Sequence, residues 1–207
     1  MPPQAKYQRD DVIRAAFRVA REKGIGAVTA REVAKELKVS VGPIFTWFDT
    51  MEQLKTEVYR LAVKEYRIRV ERGLAGPIPF LGVGQQYIRF AREEPELYKL
   101  LFLTRNRPGF GGAMEALKFS QDLARESLMR IYHMDGDTAD RYFRDLWLVV
   151  FGFAALIVTD NCPYTDEQIS AVLTEVSLAV CKAYKEVPGL TEGKFDRDAV
   201  FSELVKK

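Results

Sequence analysis

Val41, Gly42, Pro43, Thr46 and Trp47 lie around an apolar pair, Ile44 and Phe48, whose four-residue spacing puts both on one side of a helix. The outward set is not ordinary solvated charge. Gly42 lets another backbone come close, Thr46 carries a hydroxyl, and Trp47 carries a ring and an indole N–H donor. Upstream, Arg31, Lys35 and Lys38 recur at intervals of four and three residues, which aligns three cations along one helical stripe. Cations beside a short helix of small and mixed polar groups suit a grooved polyanion. Phosphates would meet the stripe, and the slim helix would enter a DNA major groove about 12 Å wide.

Catalytic chemistry finds no comparable set. The single histidine, His133, falls at the polar end of a helical pattern, and no serine or cysteine has a readable base partner. No glycine loop has phosphate-binding spacing, and Glu93 and Glu94, adjacent on a helix, do not face each other and read as a solvated surface pair. Cys162 and Cys181 stand nineteen positions apart without a CxxC spacing, so neither a zinc site nor a disulfide framework is expected. No metal or cofactor is implied, and a reducing cytoplasm is the expected compartment. The longest apolar run, Leu146 to Val158, is thirteen residues, too short to span a bilayer, and the N-terminus has no signal-like apolar stretch. No membrane partner is expected.

The elements that must position the groove-facing set are legible around it. Apolar residues at Val12, Ile13, Ala16, Phe17, Val19 and Ala20 predict a first helix ending at Gly24. Thr29 and Glu32 have capping-box spacing, so a second helix starts near Ala30 with Val33, Ala34 and Leu37 inward. Lys38-Val39-Ser40 breaks it, and Ser40 is the expected cap of a third helix, with Pro43 in the first turn. Two short helices across a three-residue turn make a helix–turn–helix over 29–48, in a head spanning 8–50. Charge agrees with this: residues 1–50 hold nine Lys or Arg against six Asp or Glu, whereas the remainder holds 22 against 23.

The run AAFRVAREKGIGAVTAREVAKELKVSVGPIFTWFDTMEQL resembles, position by position from about Ala15 to Leu54, the DNA-binding head of the TetR family of transcriptional regulators, whose domain extends to about residue 68. The resemblance implies that Thr29 and Arg31 meet phosphate or base edges. It implies that Ser40, Val41, Gly42, Pro43, Phe45, Thr46 and Trp47 form the rest of the DNA-binding set. Three positions depart from the family pattern. Lys38 stands where glycine is usual, Phe45 where tyrosine is usual, and Met51 where lysine is frequent. The first raises the cost of a left-handed turn, and the other two each remove a phosphate contact.

The body, 51–207, reads as all-α. Thr50 and Gln53 cap one long helix from Met51 to about Arg72, and further helical patterns run over 80–92, 95–103, 114–134, 138–160 and 165–187. The segment FAREEPELYKLLF is similar to one in the ligand-binding half of TetR-type regulators, and Trp147 to Gly152 resembles the "WHG" element of one subgroup with Phe151 in place of histidine. DLWLVVFGFAALIV is apolar all round and needs burial on every side. The last two long helices are therefore expected either to build a dimeric four-helix bundle or to be buried within the protomer. The bundle would use Val150, Phe153, Ile157, Ile169, Val172, Val176, Ala179 and Ala183. Aromatic residues are dense in the body, Tyr98 and Phe110 among them, and Tyr87, Phe90, Phe102, Phe119, Trp147 and Phe151 are the candidate lining of a lipophilic ligand pocket. The expectation is a homodimeric regulator of a near-palindromic double-stranded operator, a repressor released by a small molecule. An effector-free DNA-binding dimer and an all-α enzyme are the alternatives.

Overall fold

A computed structural model describes residues 7–76, 79–104 and 112–205, the side chains of Phe80 and Leu204 excepted; Phe110 lies outside the described residues. All regular structure in these residues is helical. The head holds α1 (Arg9–Lys23), α2 (Ala30–Leu37) and α3 (Gly42–Phe45). In α1, Asp10 and Asp11 occupy the first turn, where the amide ends favour anions, and Asp11 accepts from the Gln8 amide at 2.9 Å. The helix stops at Gly24, whose φ of 80° suits glycine and whose missing side chain leaves room for Glu96 of the body. Val12, Ala16, Val33, Ala34, Ile44 and Phe48 are buried together as the head's core.

Helix α4 (Met51–Leu74) carries this core into the body without interruption, burying Leu54, Val58, Ala62, Tyr66, Val70 and Gly73 along one stripe. It packs on α5 (Pro79–Glu93), and the two backbones nearly touch. A side-chain carbon on Gly73 would lie 2.6 Å from the Val83 nitrogen. Next come α6 (Pro95–Tyr98) and a π-helical turn, Lys99–Leu103, which bury Leu97, Tyr98, Leu100, Leu101 and Phe102. The remaining long helices are α7 (Gly112–Tyr132), α8 (Gly136–Val158) and α9 (Asp166–Glu186). A short α10 (Arg197–Val205), which the sequence reading did not anticipate, exposes Phe201 and Val205.

Helices α8 and α9 answer the burial question in an intermediate way. One face of α8, from Tyr142 through Leu146 and Val150 to Val158, is buried in the protomer, while Leu148, Gly152 and Leu156 on the other face are exposed. On α9 only Ile169 and Leu173 are buried, and Leu178 is 68% exposed. Burial of both helices within one chain is therefore not what the structure shows. Val150 and Ile169, expected at a subunit interface, instead face the protomer's own core at 6% and 2% exposure.

Candidate functional site

Three exposed cations on the head are uncommitted. Arg31, Lys35 and Lys38 form no ion pair among the described residues, whereas the neighbouring Arg18 and Lys23 are held by Glu36 at 2.6 Å and Glu32 at 2.7 Å. Beside them Ser40, Val41, Gly42, Phe45, Thr46 and Trp47 are exposed, Pro43 is half-buried, and Ile44 is fully buried. The inward anchoring of Ile44 and Phe48 turns the small and polar side of the segment outward. Although α3 itself has four residues, the Phe48 amide still donates to the Ile44 carbonyl at 3.2 Å, so the helical path continues past Thr46 and Trp47.

Local chemistry departs from expectation at three points. Thr29 does cap α2, accepting from the Glu32 amide at 3.3 Å, but the capping box does not close. The Thr29 amide already donates to the Ala27 carbonyl at 2.8 Å, and Glu32 turns to Lys23, whose ammonium holds its carboxyl below the usual carboxylate range. Ser40 is not a cap: Val41 occupies that place in right-handed helical geometry, without a side-chain bond. The Trp47 indole N–H is not open either, since it donates to the Tyr7 carbonyl at 3.3 Å. Its 40% exposed ring is what remains to offer. Lys38, by contrast, has φ 57° and ψ 45°, the left-handed turn that its glycine-like position implies.

Head and body are joined by a carboxylate that the sequence reading assigned to the surface. Glu94, at the start of α6, is 5% exposed. Arg21 of α1 grips it with two guanidinium nitrogens, Nε donating at 2.6 Å and Nη2 to the other oxygen. Arg69 of α4 approaches it at 3.7 Å while binding Glu93 at 2.7 Å. Adjacent acids on a helix diverge, and here one turns into the α1–α4–α6 junction because two arginines wait there.

The aromatic residues expected to line a pocket are mostly packed against one another. Tyr87, Phe90 and Phe102 are buried at 2%, 0% and 3% exposure. Around Tyr66, the rings of Phe102 and Phe90 lie at centroid distances of 5.1 and 5.7 Å, and Tyr87 meets Phe102 at 4.9 Å. Edge-on packing fills this volume with side chains. The hydroxyls close on protein too: Tyr66 with Ser120 at 2.7 Å and Tyr87 with Tyr98 at 3.1 Å. Burial pushes all three tyrosines above the usual phenol range, so they remain neutral. Trp147 stacks on Phe151 at 5.0 Å and borders a void of about 20 Å³; its indole N–H has no acceptor among the described residues. Phe119, half-buried, lies under the Arg67 guanidinium beside a second void of about 80 Å³.

The larger apolar hollow lies elsewhere. About 260 Å³ opens between α5, α8 and α9 and the end of α7, against Gly84, Leu146, Val150, Leu173 and the hydroxyls of Tyr142 and Ser177. The sequence reading missed it. Gly84, Leu146 and Leu173 carry no chemistry that singles them out, and a hollow arises from the fit of four helices rather than from any local run. Cys162 and Cys181 are both free thiols, and no group of metal-ligating side chains occurs among the described residues. No helix among them is long and apolar enough to cross a membrane.

Comparison with known proteins completes the picture. Residues 12–58 match the model of bacterial regulatory proteins of the tetR family, and residues 80–185 match the tetracyclin repressor-like C-terminal domain. No curated protein sequence matches the chain. Among solved structures, the chain is similar to the multidrug binding protein EbrR complexed with imidazole, at 24% identity and a TM-score of 0.54, covering 85% of this chain and 93% of that one. It is also similar to a transcriptional regulator from Rhodococcus sp. Rha1, at 18% identity and TM-score 0.56, covering 85% and 96%. The fatty acid degradation regulator FadR from Bacillus halodurans aligns at 16% identity and TM-score 0.57, covering 87% and 96%. At these identities the likeness concerns the fold.

Proposed function

Because this chain belongs to the TetR family, whose members are DNA-binding transcriptional regulators and not enzymes, we propose that it is a homodimeric, operator-specific repressor released from DNA by a small lipophilic ligand. The single observation that carries the DNA contact is the juxtaposition of Arg31, Lys35 and Lys38, without ion pairs among the described residues, with the exposed, low-bulk side of α3. Thr29, Arg31 and Lys35 serve phosphates, while Val41, Gly42, Pro43, Thr46 and the Trp47 ring enter the groove. On this reading residues 8–50 form the DNA-binding unit and 51–207 the effector and dimerisation unit, acting in the cytoplasm.

Dimerisation is supported by the face that α8 and α9 leave uncovered. Leu148, Gly152 and Leu156 repeat at four-residue intervals on α8, and Leu178 and Ala179 are exposed on α9. The interface is thus read from these residues, with Phe153, Ile157, Val172, Val176 and Ala183 half-buried behind or beside them. Two-fold symmetry would place the two α3 segments in major grooves about 34–36 Å apart on a near-palindromic site.

The test is selection of a binding site from random duplexes, followed by salt titration of the selected site. Arg31→Ala is expected to reduce the log–log salt slope by about 0.9 per half-site, or about 1.8 for the dimer. Trp47→Ala is expected to weaken the selected site more than random DNA. Failure to enrich any sequence, or a wild-type salt slope in Arg31→Ala, would refute the assignment of this face.

A further inference from the structure

We infer that the hollow between α5, α8 and α9 binds an uncharged, mainly apolar molecule of about ten non-hydrogen atoms, with one polar group set against the Ser177 and Tyr142 hydroxyls. This deepens the ligand-responsive reading and rests on it only for the consequence at the operator. The size follows by proportion: an apolar cavity of roughly 150 Å³ takes benzene, and this one has about 260 Å³. No Asp, Glu, Lys or Arg side chain borders it. An ion there would give up part of its hydration with no counter-charge on the wall.

The other groove of similar size shows the contrast. It holds about 330 Å³ between α5 and α9, but its walls include Arg89, Arg92, Glu93 and Asp166, and Arg92 and Asp166 are already joined at 2.7 Å. Water and ions suit that place. The polar groups on the wall of the apolar hollow are the hydroxyls of Tyr132, Tyr142, Thr174 and Ser177 and the Cys181 thiol, and the Tyr132 and Tyr142 rings pack together at 5.4 Å. Tyr142 and Ser177 share a hydrogen bond of 2.6 Å, and burial pushes the Tyr142 phenol well above its ordinary range, so it stays protonated. A serine hydroxyl has one proton and two lone pairs, more than that bond uses. Thr174, also on the wall, donates to the Ser170 carbonyl at 2.8 Å and keeps only acceptor lone pairs. Ser177, beside Tyr142 and with hydrogen-bonding capacity beyond their shared bond, is where we place the polar group of an occupant. An alcohol, ketone, phenol or amide fits, and a carboxylate or ammonium does not.

Octan-1-ol, octanoate and octylammonium, matched in chain length, test this on the full-length protein by calorimetry. Octan-1-ol is expected to bind at least about ten-fold tighter than either ion, because a buried hydrogen bond to a neutral group is retained while the unpaired charge is not. Ser177→Ala is expected to weaken octan-1-ol about three- to ten-fold. Gly84→Leu fills the hollow and should abolish binding. A carbon added at Gly84 meets Val150 and Leu173 only at 3.7 and 3.8 Å, ordinary contact, so the first atom of a side chain has room there and the rest would extend toward the hollow. Circular dichroism checks that it does. Equal or tighter binding of either ion, absence of octan-1-ol binding, or undiminished binding to folded Gly84→Leu would overturn the inference while leaving operator binding as it stands. Binding that obeys all these expectations but leaves operator affinity unchanged would instead overturn ligand release and keep the pocket.

Discussion

Replacing Arg21 with methionine should destabilise the protein more than replacing Glu94 with glutamine, although both break the same ion pair. The asymmetry comes from burial. The Glu94 side chain is 5% exposed, whereas Arg21 is 50% exposed. Without Arg21, the carboxylate stays buried, and its remaining partner, Arg69 at 3.7 Å, is already committed to Glu93 at 2.7 Å. Breaking a fully buried pair costs roughly 3–5 kcal/mol, and access of water to the Arg21 side together with the residual Arg69 charge reduces this to about 2 kcal/mol. In Glu94→Gln, the buried group is a neutral amide of the same shape, and Arg21 regains water. The loss should be that of an exposed pair, about 0.5–1 kcal/mol.

Urea unfolding at one fixed protomer concentration measures both, because the stability of any chain that self-associates depends on concentration. The double variant, Arg21→Met with Glu94→Gln, should lose less than the sum of the singles, since the orphaned charge is then gone. If Glu94→Gln proves as costly as Arg21→Met, or the double variant shows simple additivity, Glu94 is not the desolvated partner. The reasoning about this junction then fails.

Two further substitutions act on backbone geometry. Lys38→Gly should stabilise the head by about 0.5–1 kcal/mol: the left-handed conformation costs a lysine roughly 1–2 kcal/mol, and glycine's extra unfolded-state entropy returns part of the gain. A lower urea midpoint would show that Lys38 makes a compensating contact. Gly73→Ala should destabilise by about 1–2 kcal/mol, because overpacking against the Val83 nitrogen outweighs a helix-propensity gain of about 1 kcal/mol. Calorimetric melting checks it, and an unchanged or raised Tm would mean that α4 and α5 can separate at little cost.

The sequence was most informative where a feature is local. Caps, helical periodicity and the Gly24 stop placed α1, α2 and α4 within a few residues, and the departure at Lys38 correctly raised the question of a left-handed turn. It was least informative where tertiary partners decide. Glu94 looks like any helix-surface acid until Arg21, 73 positions away, and Arg69 are brought to it. Tyr87, Phe90 and Phe102 have the composition of a ligand pocket, but whether rings surround a space or fill it depends on their mutual packing. The indole of Trp47 lost its open donor to a carbonyl 40 positions upstream. α10 escaped notice because it buries little, so its pattern of apolar residues has no clear side; its cap, Asp196 accepting from the Ala199 amide at 3.0 Å, was the available signal.

The filled aromatic centre also limits how a ligand in the hollow can act on DNA. Leu146 and Val150 form its wall on α8, and Trp147 on the same helix meets Tyr87 at 6.2 Å. Tyr87 bonds Tyr98 of α6, and α6 is preceded by Glu94, which Arg21 ties to the head. Contiguity of this kind joins the hollow to the head through packed side chains. What it supplies is a stiff connection, since close-packed rings shift together rather than deform. The π-helical turn Lys99–Leu103 is the place where such a shift can be absorbed or passed on, because its backbone bonds are not those of a regular helix. By linkage, a ligand that releases the operator must bind free protein more tightly than DNA-bound protein by that same factor, commonly about 5- to 150-fold. In this geometry that factor is set by how differently the hollow is shaped when α6 and the head occupy their DNA-bound positions. Cutting the tie with Glu94→Gln should therefore lower the factor while leaving ligand affinity for the free protein nearly unchanged.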